Sequence, residues 1–256
     1  MITSTQNAKL KLVRGLLGRP KERHAAEAFV VEGVRLVEEA LAAGWTFRFS
    51  LYTQALSERG RVVLKELVQT GVEVEEVAAH LLASSAGTEN PQGLLAVLEH
   101  RSLPVPQQLD LVLILDVLRD PGNLGSLLRS AAAAGVQAVF LTPGSADAFA
   151  PKVVRSGMGA HFRLPIQALD WEFIHERLAG LKIVLAEMNA PLSCWQADLR
   201  GGLALVIGGE AEGASQAARQ TCTERVHIPM AAGSESLNAA AAGAVLLFEI
   251  KRQRDT

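Results

Sequence analysis

The sequence predicts an α/β protein in which a small α/β domain precedes a larger domain with a mainly parallel sheet. Short apolar runs alternate with amphipathic segments of helical length along the whole chain, which is the pattern of strand–helix units. After residue 109 these runs become longer and more aliphatic, as expected for strands buried on both faces of a parallel sheet. Residues 101–108 include Pro104 and Pro106 and are typical of a linker. We therefore assign residues 1–100 to the first domain and 109–256 to the second.

The elements of the first domain are bounded by residues that end helices or form turns. Gly44 and Gly71 suit the left-handed position after a helix, Pro20 and the polar residues after it are expected to end the first helix, and residues 90–93 have turn chemistry. The predicted helices are 3–18, 34–43, 61–70 and 78–83, and the predicted strands are 29–33, 47–52, 72–77 and 94–98.

The second domain begins with a continuous aliphatic run that ends at Asp116. A loop over 120–125 is expected to lead into a helix that ends at Gly135, and the alanine-dense run after Asn238 predicts the last helix. The predicted strands are 111–115, 136–141, 181–186, 203–207 and 226–228, and the predicted helices are 126–134, 151–159, 215–221 and 236–249.

Composition excludes several classes of protein. The net charge is −2, so overall charge does not indicate a nucleic-acid binder. Cys194 and Cys222 have the spacing of neither a disulfide framework nor a zinc site, which favours a reducing compartment. The basic N-terminus lacks an apolar secretory core, and no run approaches the ~18 apolar residues of a membrane span. We expect a soluble, cytoplasmic protein.

Basic residues are concentrated near the N-terminus, where Glu22 is the one acidic residue between positions 9 and 23. Such a cluster is either a solvated helix face or a surface that contacts phosphates. The basic residues are Lys9, Lys11, Arg14, Arg19, Lys21 and Arg23.

Ligands of open α/β sheets bind beyond the carboxyl ends of the strands, and several loops there are rich in glycine or small residues. The chain has neither the G-x-G-x-x-G fingerprint of dinucleotide-binding proteins after its first long strand nor a Walker A or G-x-S-x-G sequence. A nicotinamide-dependent enzyme is therefore disfavoured. His227 lies inside a predicted strand, where a structural role is expected.

Three blocks of sequence carry a resemblance to a known family. They are Asp120-Pro121-Gly122-Asn123-Leu124-Gly125 with Arg129-Ser130-Ala131, residues 206–213 (VIGGEAEG), and Ile228-Pro229-Met230 with Ser236-Leu237-Asn238. In this order and spacing they resemble motifs 1, 2 and 3 of the SpoU (TrmH) branch of SPOUT RNA methyltransferases. Residues 151–160 resemble the helix between motifs 1 and 2, and the N-terminal region is similar to the L30e-like substrate-binding domain of rRNA-type members.

The resemblance implies a deep trefoil knot in the second domain that binds S-adenosyl-L-methionine, with S-adenosyl-L-homocysteine as product and no metal. It also implies methyl transfer to a ribose 2′-hydroxyl of RNA, most readily rRNA, by a homodimer whose active site lies near the subunit interface. Two alternatives remain open: a non-catalytic RNA-binding or ribosome-assembly factor that has kept the fold, and a tRNA 2′-O-methyltransferase.

The resemblance assigns roles to side chains that also have ordinary structural explanations. Asn123, Ser236 and Asn238 could simply cap helices, and Glu210 could be a solvated loop charge. The family's arginine, here Arg129, has been assigned as the base. A guanidinium does not readily lose its proton, so phosphate binding and stabilisation of the alkoxide form the alternative. The implied catalytic residues are Asn123, Arg129, Glu210, Ser236 and Asn238.

The implied cofactor-binding residues surround the ends of four strands, and Arg155 joins the N-terminal basic residues as a candidate RNA contact. Ala232 departs from the glycine that many relatives have there, and Ala239–Ala242 replace valines; we expect altered packing rather than lost chemistry. The cofactor-binding candidates are Thr142, Leu185, Ala186, Glu187, Ile207, Gly208, Gly209, Glu210, Ile228, Met230, Ser236 and Leu237.

Overall fold

The computed structural model describes residues 1–85, 92–210, 212–231 and 236–256, which form two compact units. The first unit comprises Met1–Arg101 together with Phe149–Phe162, and the second comprises Ser102–Ala148 and Arg163–Thr256. The segment Phe149–Phe162 thus packs with the first unit, although the sequence-based boundaries place it within the second domain.

The elements of both units are numbered along the chain. The helices are α1 Ala8–Gly18, α2 Pro20–Ala26, α3 Val34–Ala42, α4 Glu58–Gln69, α5 Ala79–Ser85, α6 Pro121–Ala134, α7 Pro151–Gly157, α8 Trp171–Arg177, α9 Gln216–Thr221 and α10 Ala239–Arg254. The strands are β1 Ala28–Glu32, β2 Phe47–Tyr52, β3 Val74–Glu76, β4 Leu94–Glu99, β5 Leu111–Asp116, β6 Ala138–Leu141, β7 Ile166–Ala168, β8 Lys182–Ala186, β9 Leu192–Ser193, β10 Leu203–Gly208 and β11 Glu224–His227.

The first unit is built on a sheet of four described strands in the order β1-β4-β2-β3. Strand β4 is antiparallel to both neighbours, and β2 pairs parallel with β3. The buried faces of α1 and α5 pack with apolar residues of the sheet. The added segment Phe149–Phe162 is held by aromatic edge contacts, because Phe149 lies against Phe29 and Phe162 against Trp45.

The second unit contains a sheet of seven described strands in the order β7-β6-β5-β10-β8-β11-β9, and every pair is parallel. All six residues of β5 are buried, as a central strand with both faces covered requires. Helices α8 and α9 pack on one apolar cluster of the sheet, and α6 and α10 pack against each other. Parallel pairing brings the carboxyl ends of the strands to one edge, which is where a ligand site is expected.

Close packing of α6 on α10 depends on a glycine. A Cβ atom on Gly243 would lie 2.2 Å from Cδ2 of Leu127, so no larger residue fits without displacement of that leucine. No helix within the described ranges is long and apolar enough to span a membrane.

Several elements differ from the sequence-based prediction. The first helix begins at Ala8 behind the Asn7 cap rather than at residue 3, and residues 20–26 form helix α2 instead of a break. Helix α6 begins at Pro121, because the Asp120 side chain caps it, so the prediction of a loop up to residue 125 is wrong. The short elements β7, α8 and β9 were not predicted. Residues 90 and 91 of the predicted turn lie outside the described residues.

Candidate active site

Three of the five candidate catalytic side chains form one hydrogen-bonded chain. The side-chain amide of Asn123 donates to Oε1 of Glu210 (2.8 Å), and that of Asn238 donates to Oδ1 of Asn123 (2.9 Å). The three residues come from α6, from the loop after β10 and from the start of α10. We call this set the amide–carboxylate chain. It lies beyond the carboxyl ends of the strands, where ligands of parallel α/β proteins bind.

The two asparagines are placed by the ends of their helices. The backbone N–H of Asn123 donates to the Asp120 carboxylate (2.7 Å), which fixes the first turn of α6. The side-chain oxygen of Asn238 accepts from the N–H groups of Ala240 (2.9 Å) and Ala241 (3.3 Å) and so caps α10. Because its oxygen is occupied by the cap, the amide nitrogen of Asn238 is turned toward Asn123. Capping and site formation are therefore properties of the same side chain.

Arg129 does not join this chain. It lies on α6 six positions after Asn123, which is about 120° around the helix and ~9 Å along it. Its side chain is exposed and has no hydrogen bond or ion pair with any residue that the structure describes. Ser236 is also exposed, and it lies at the mouth of a cleft.

This cleft, which we call the knot cleft after the knot that the family resemblance implies, is open to solvent and has a cavity volume of about 140 Å³. Most of its lining residues are apolar, and the described polar residues among them are Glu187, His227 and Ser236. His227 is thus part of the cleft, although its position in a strand predicted a purely structural role. The cofactor-binding candidates that line the cleft are Ala186, Glu187, Ile228, Met230, Ser236 and Leu237.

The remaining cofactor-binding candidates lie elsewhere. Leu185 is fully buried in the apolar cluster beneath α8 and α9, since alternate residues of β8 point to opposite faces of the sheet. Ile207 is buried near Gly243. Gly209 and Glu210 line a second cavity. Gly208 packs on the backbone of Ala214, because a Cβ there would lie 2.4 Å from the backbone nitrogen of that residue.

Asp116 is a buried polar centre that the sequence did not single out as functional. Its carboxylate accepts hydrogen bonds from Trp171 Nε1 (2.9 Å), Ser215 N (2.6 Å), Ser215 Oγ (3.2 Å) and the Thr142 hydroxyl (3.1 Å). Thr142, a predicted cofactor contact, therefore holds the ends of β5 and β6 together. One feature of the sequence could have indicated this role: Asp116 ends a wholly apolar strand, and a buried carboxylate requires several hydrogen-bond donors.

The residue after Asp116 has a strained backbone. Val117 has a φ of 56°, which a β-branched residue rarely adopts, and its N–H donates to the Thr142 hydroxyl (2.9 Å). The Val117 carbonyl oxygen lies 2.5 Å from where a Cβ on Gly209 would be. Strain after β5 thus brings this backbone into contact with the glycine loop after β10.

Comparison with known proteins identifies the family. The sequence model of the SpoU rRNA methylase family matches residues 110–248. The chain belongs to this family. The model of the MRM3-like substrate binding domain matches residues 7–96. The chain is 35% identical to a 23S rRNA (uridine(2479)-2′-O)-methyltransferase of Streptomyces viridochromogenes, with 98% of this chain and 92% of the relative covered. It is 30% identical to a 23S rRNA (guanosine(2553)-2′-O)-methyltransferase of Bacillus subtilis, with 98% of each covered.

The fold agrees with a solved member of the SpoU family. The crystal structure of the SpoU methyltransferase AviRb from Streptomyces viridochromogenes, in complex with AdoMet, superposes with a TM-score of 0.86 at 33% identity. The match covers 98% of this chain and 99% of that one. The predicted fold class, a SPOUT-type α/β domain with a mainly parallel sheet after a small α/β domain, is confirmed.

The candidate RNA contacts of this SpoU protein fall into two groups. Lys9 forms ion pairs with Glu73 (2.6 Å) and Glu75 (2.8 Å), and buried Arg23 donates to the carbonyl oxygen of Leu16 (2.6 Å). Arg14 donates to the carbonyl oxygen of Thr5, and Arg155 lies 4.0 Å from Glu32. The side chains of the other candidates, Lys11, Arg19 and Lys21, are exposed.

Ala232, the departure in motif 3, lies outside the described residues, as do positions 211 and 233–235. Within the described part of the chain, no group of three or more His, Cys, Asp or Glu side chains could hold a metal ion.

Proposed function

We propose that this SpoU protein transfers a methyl group from S-adenosyl-L-methionine to a ribose 2′-hydroxyl of rRNA, and that its candidate site residues perform this reaction. The observation that carries the proposal is the position of three consecutive residues. Ser236 and Leu237 line the knot cleft, and Asn238 belongs to the amide–carboxylate chain. A molecule in the cleft would therefore lie beside the polar groups that orient a ribose.

The chemistry of the knot cleft fits the adenosine part of the cofactor. A mainly apolar wall with few polar groups suits the adenosine of the cofactor, because a nucleoside without a phosphate needs no lysine to bind it. The residues that would hold the molecule are Ala186, Glu187, Ile228, Met230 and Leu237. When bound, S-adenosyl-L-methionine supplies a methyl group already activated by its sulfonium, so the reaction requires no metal.

The polar side chains of this chain would align the ribose and stabilise charge. Glu210 and Asn238 fix both ends of the Asn123 amide, so its position is set before RNA binds. In our proposal Arg129 does not act as the base, because a guanidinium is a poor proton acceptor. Its role in our proposal is to bind an RNA phosphate through two parallel hydrogen bonds and to stabilise the developing alkoxide, while the proton passes to phosphate or water.

A homodimer formed through the second unit would complete the site. Arg129 is exposed and lies about 120° around α6 from Asn123. A second copy would bring an arginine to an amide–carboxylate chain that lacks one. Large apolar side chains on the same unit are also exposed, among them Trp195 (51%), Met188 (58%) and Phe248 (48%), as expected of a surface that is covered by a partner.

The first unit would bind structured RNA through its exposed cations. Lys11 and Lys21 are exposed and available for phosphates, and exposed Arg19 joins them although it lies 4.0 Å from Glu22. In this proposal residues 1–100 bind substrate, 109–256 perform catalysis, and the protein works in the cytoplasm where ribosomes are assembled. The two relatives named above are 23S rRNA methyltransferases that act on uridine and guanosine, which makes 23S rRNA the expected substrate.

The proposal is tested in two steps. Isothermal titration with S-adenosyl-L-homocysteine should show binding, and rRNA from cells that lack the gene should gain one 2′-O-methylated nucleoside on incubation with enzyme and cofactor. Arg129→Ala should abolish transfer but leave cofactor binding intact. Arg177→Ala removes an exposed arginine from α8 and should have no effect. Normal transfer by Arg129→Ala would refute the assigned role, and absence of cofactor binding would refute the proposed function.

A further inference from the structure

Glu187 differs from the other polar residues of the knot cleft because two arginines hold it. Arg219 Nε donates to Oε1 of Glu187 (3.0 Å), and Nη1 of Arg225 lies 3.5 Å from Oε2. The backbone N–H of Glu187 donates to the carbonyl oxygen of Val226 (3.0 Å), which ties the residue to β11. Its carboxylate is thus fixed on both sides, yet 24% of the side chain is still exposed.

The cleft that Glu187 lines is otherwise poor in acceptors. Glu187 is the one carboxylate among the described lining residues. The His227 ring is anchored through Nδ1 to the carbonyl oxygen of Ala190 (2.9 Å). An ionised carboxylate has about four acceptor sites, and the arginines use only some of them. The free sites are open to donors of a bound molecule.

Resting on the proposed function, we infer that Glu187 accepts hydrogen bonds from the 2′,3′-diol of the cofactor ribose and that Arg219 and Arg225 position it to do so. Two arginines beside one carboxylate leave a local charge of about +1, which disfavours the cationic amino group of the cofactor as the partner. A diol is neutral and offers two donors. An acidic residue at the end of a strand binds a ribose hydroxyl in the same way in dinucleotide-binding folds.

Arg219 also connects this carboxylate with the glycine loop of motif 2. One of its guanidinium nitrogens, Nη2, lies 3.6 Å from where a Cβ on Gly213 would be. The arginine is therefore seated between the loop after β10 and the residue after β8. In our inference it is a positioning residue, since it acts on the cofactor through Glu187.

A thermodynamic cycle tests the inference with three ligands. They are S-adenosyl-L-homocysteine, its 2′,3′-dideoxy analogue, and 5′-methylthioadenosine, which keeps the diol and lacks the amino-acid part. Glu187→Ala should weaken binding of the first and third by roughly 10- to 100-fold, as expected for lost hydrogen bonds to a charged acceptor. The dideoxy analogue should bind the variant and the original protein within about 2-fold, because the interaction that the mutation removes is already absent.

Two further variants separate positioning from general structure. Glu224→Gln alters a carboxylate with the same 24% exposure, paired with Lys182 and outside the cleft, and should leave all three affinities unchanged. Arg219→Gln should weaken binding of S-adenosyl-L-homocysteine by about 3- to 10-fold. The double variant Glu187→Ala/Arg219→Gln should bind it no more weakly than Glu187→Ala alone. Melting curves show that each variant is folded.

The possible results are distinct. The inference is overturned if Glu187→Ala weakens binding of the dideoxy analogue as much as binding of S-adenosyl-L-homocysteine. It is also overturned if Glu187→Ala leaves binding of 5′-methylthioadenosine unchanged, because the amino-acid part of the cofactor would then be the partner of Glu187. Both results leave the proposed function standing, because the original protein still binds the cofactor product. Failure of the original protein to bind S-adenosyl-L-homocysteine would overturn the proposed function and the inference together.

Discussion

Asn238 allows helix capping and catalysis to be separated by mutation. Its oxygen caps α10 through two backbone N–H groups, and its nitrogen donates to Asn123. Asn238→Asp keeps the capping oxygen but removes the side-chain N–H donor, and its negative charge interacts favourably with the N-terminal end of the helix dipole. The free energy of unfolding should therefore change by less than about 0.5 kcal/mol. Asn238→Ala removes both functions and should cost about 1–2 kcal/mol, a fall in Tm of roughly 2–8 °C for a chain of this size.

Activity should follow a different order from stability. The aspartate would place a second carboxylate beside the Asn123–Glu210 pair, in addition to the lost hydrogen bond, so Asn238→Asp should lower kcat/KM by at least about 10-fold. Asn238→Ala should lower it by about 10-fold even at temperatures where the variant is fully folded. The assays are thermal unfolding and single-turnover methyl transfer. Full activity of the stable Asn238→Asp variant would show that the Asn238 amide has no role in the site.

Three other predictions concern the second unit. Arg129→Ala and Glu210→Gln proteins should each be inactive, but co-refolding them at equal ratio should restore about a quarter of normal activity. Half the dimers would then contain both variants, and each of these would hold one intact site of two. No recovery of activity would mean that both residues belong to the site of one protomer. Gly243→Ala should lower stability by about 1 kcal/mol and Tm by roughly 2–4 °C, as overpacking against Leu127 outweighs better helix propensity; an unchanged melting curve would contradict this. Burial, and secondarily the nearby Glu249 charge, raises the pKa of the Cys194 thiol from its usual 9.0 to about 11. The unfolded thiol ionises first, so stability should fall as pH rises from about 9 to 11, and urea unfolding of Cys194→Ala should show a weaker fall.

The polar residues of the site were predictable because the start of a helix selects their residue types. Asp120, Asn123 and Asn238 lie at helix starts, where short polar side chains satisfy backbone N–H groups, and the strand pattern places them at one edge of a parallel sheet. Alternation along β8 could also have shown that Leu185 and Ala186 lie on opposite faces. Which face held the cleft could not be known until α10 was placed.

Pairing over long sequence distances was not predictable. Lys9 appeared to be a free cation in the sequence, but its partners Glu73 and Glu75 are 64 and 66 positions away. The donors to Asp116 include a residue 99 positions away, and the segment Phe149–Phe162 belongs to the first unit although it follows two strands of the second. No local pattern carries such information.

Hydrophobic period and capping chemistry act over a few residues, so the α/β class, the family and the polar residues at the strand ends could be predicted before any coordinates were available. Three features became visible in the folded chain: Glu210, Asn123 and Asn238 form one hydrogen-bonded chain, Arg219 and Arg225 hold Glu187, and Arg129 does not contact that chain. These facts depend on strand order and helix packing, in which residues about a hundred positions apart come within 3 Å, and a linear sequence does not display them.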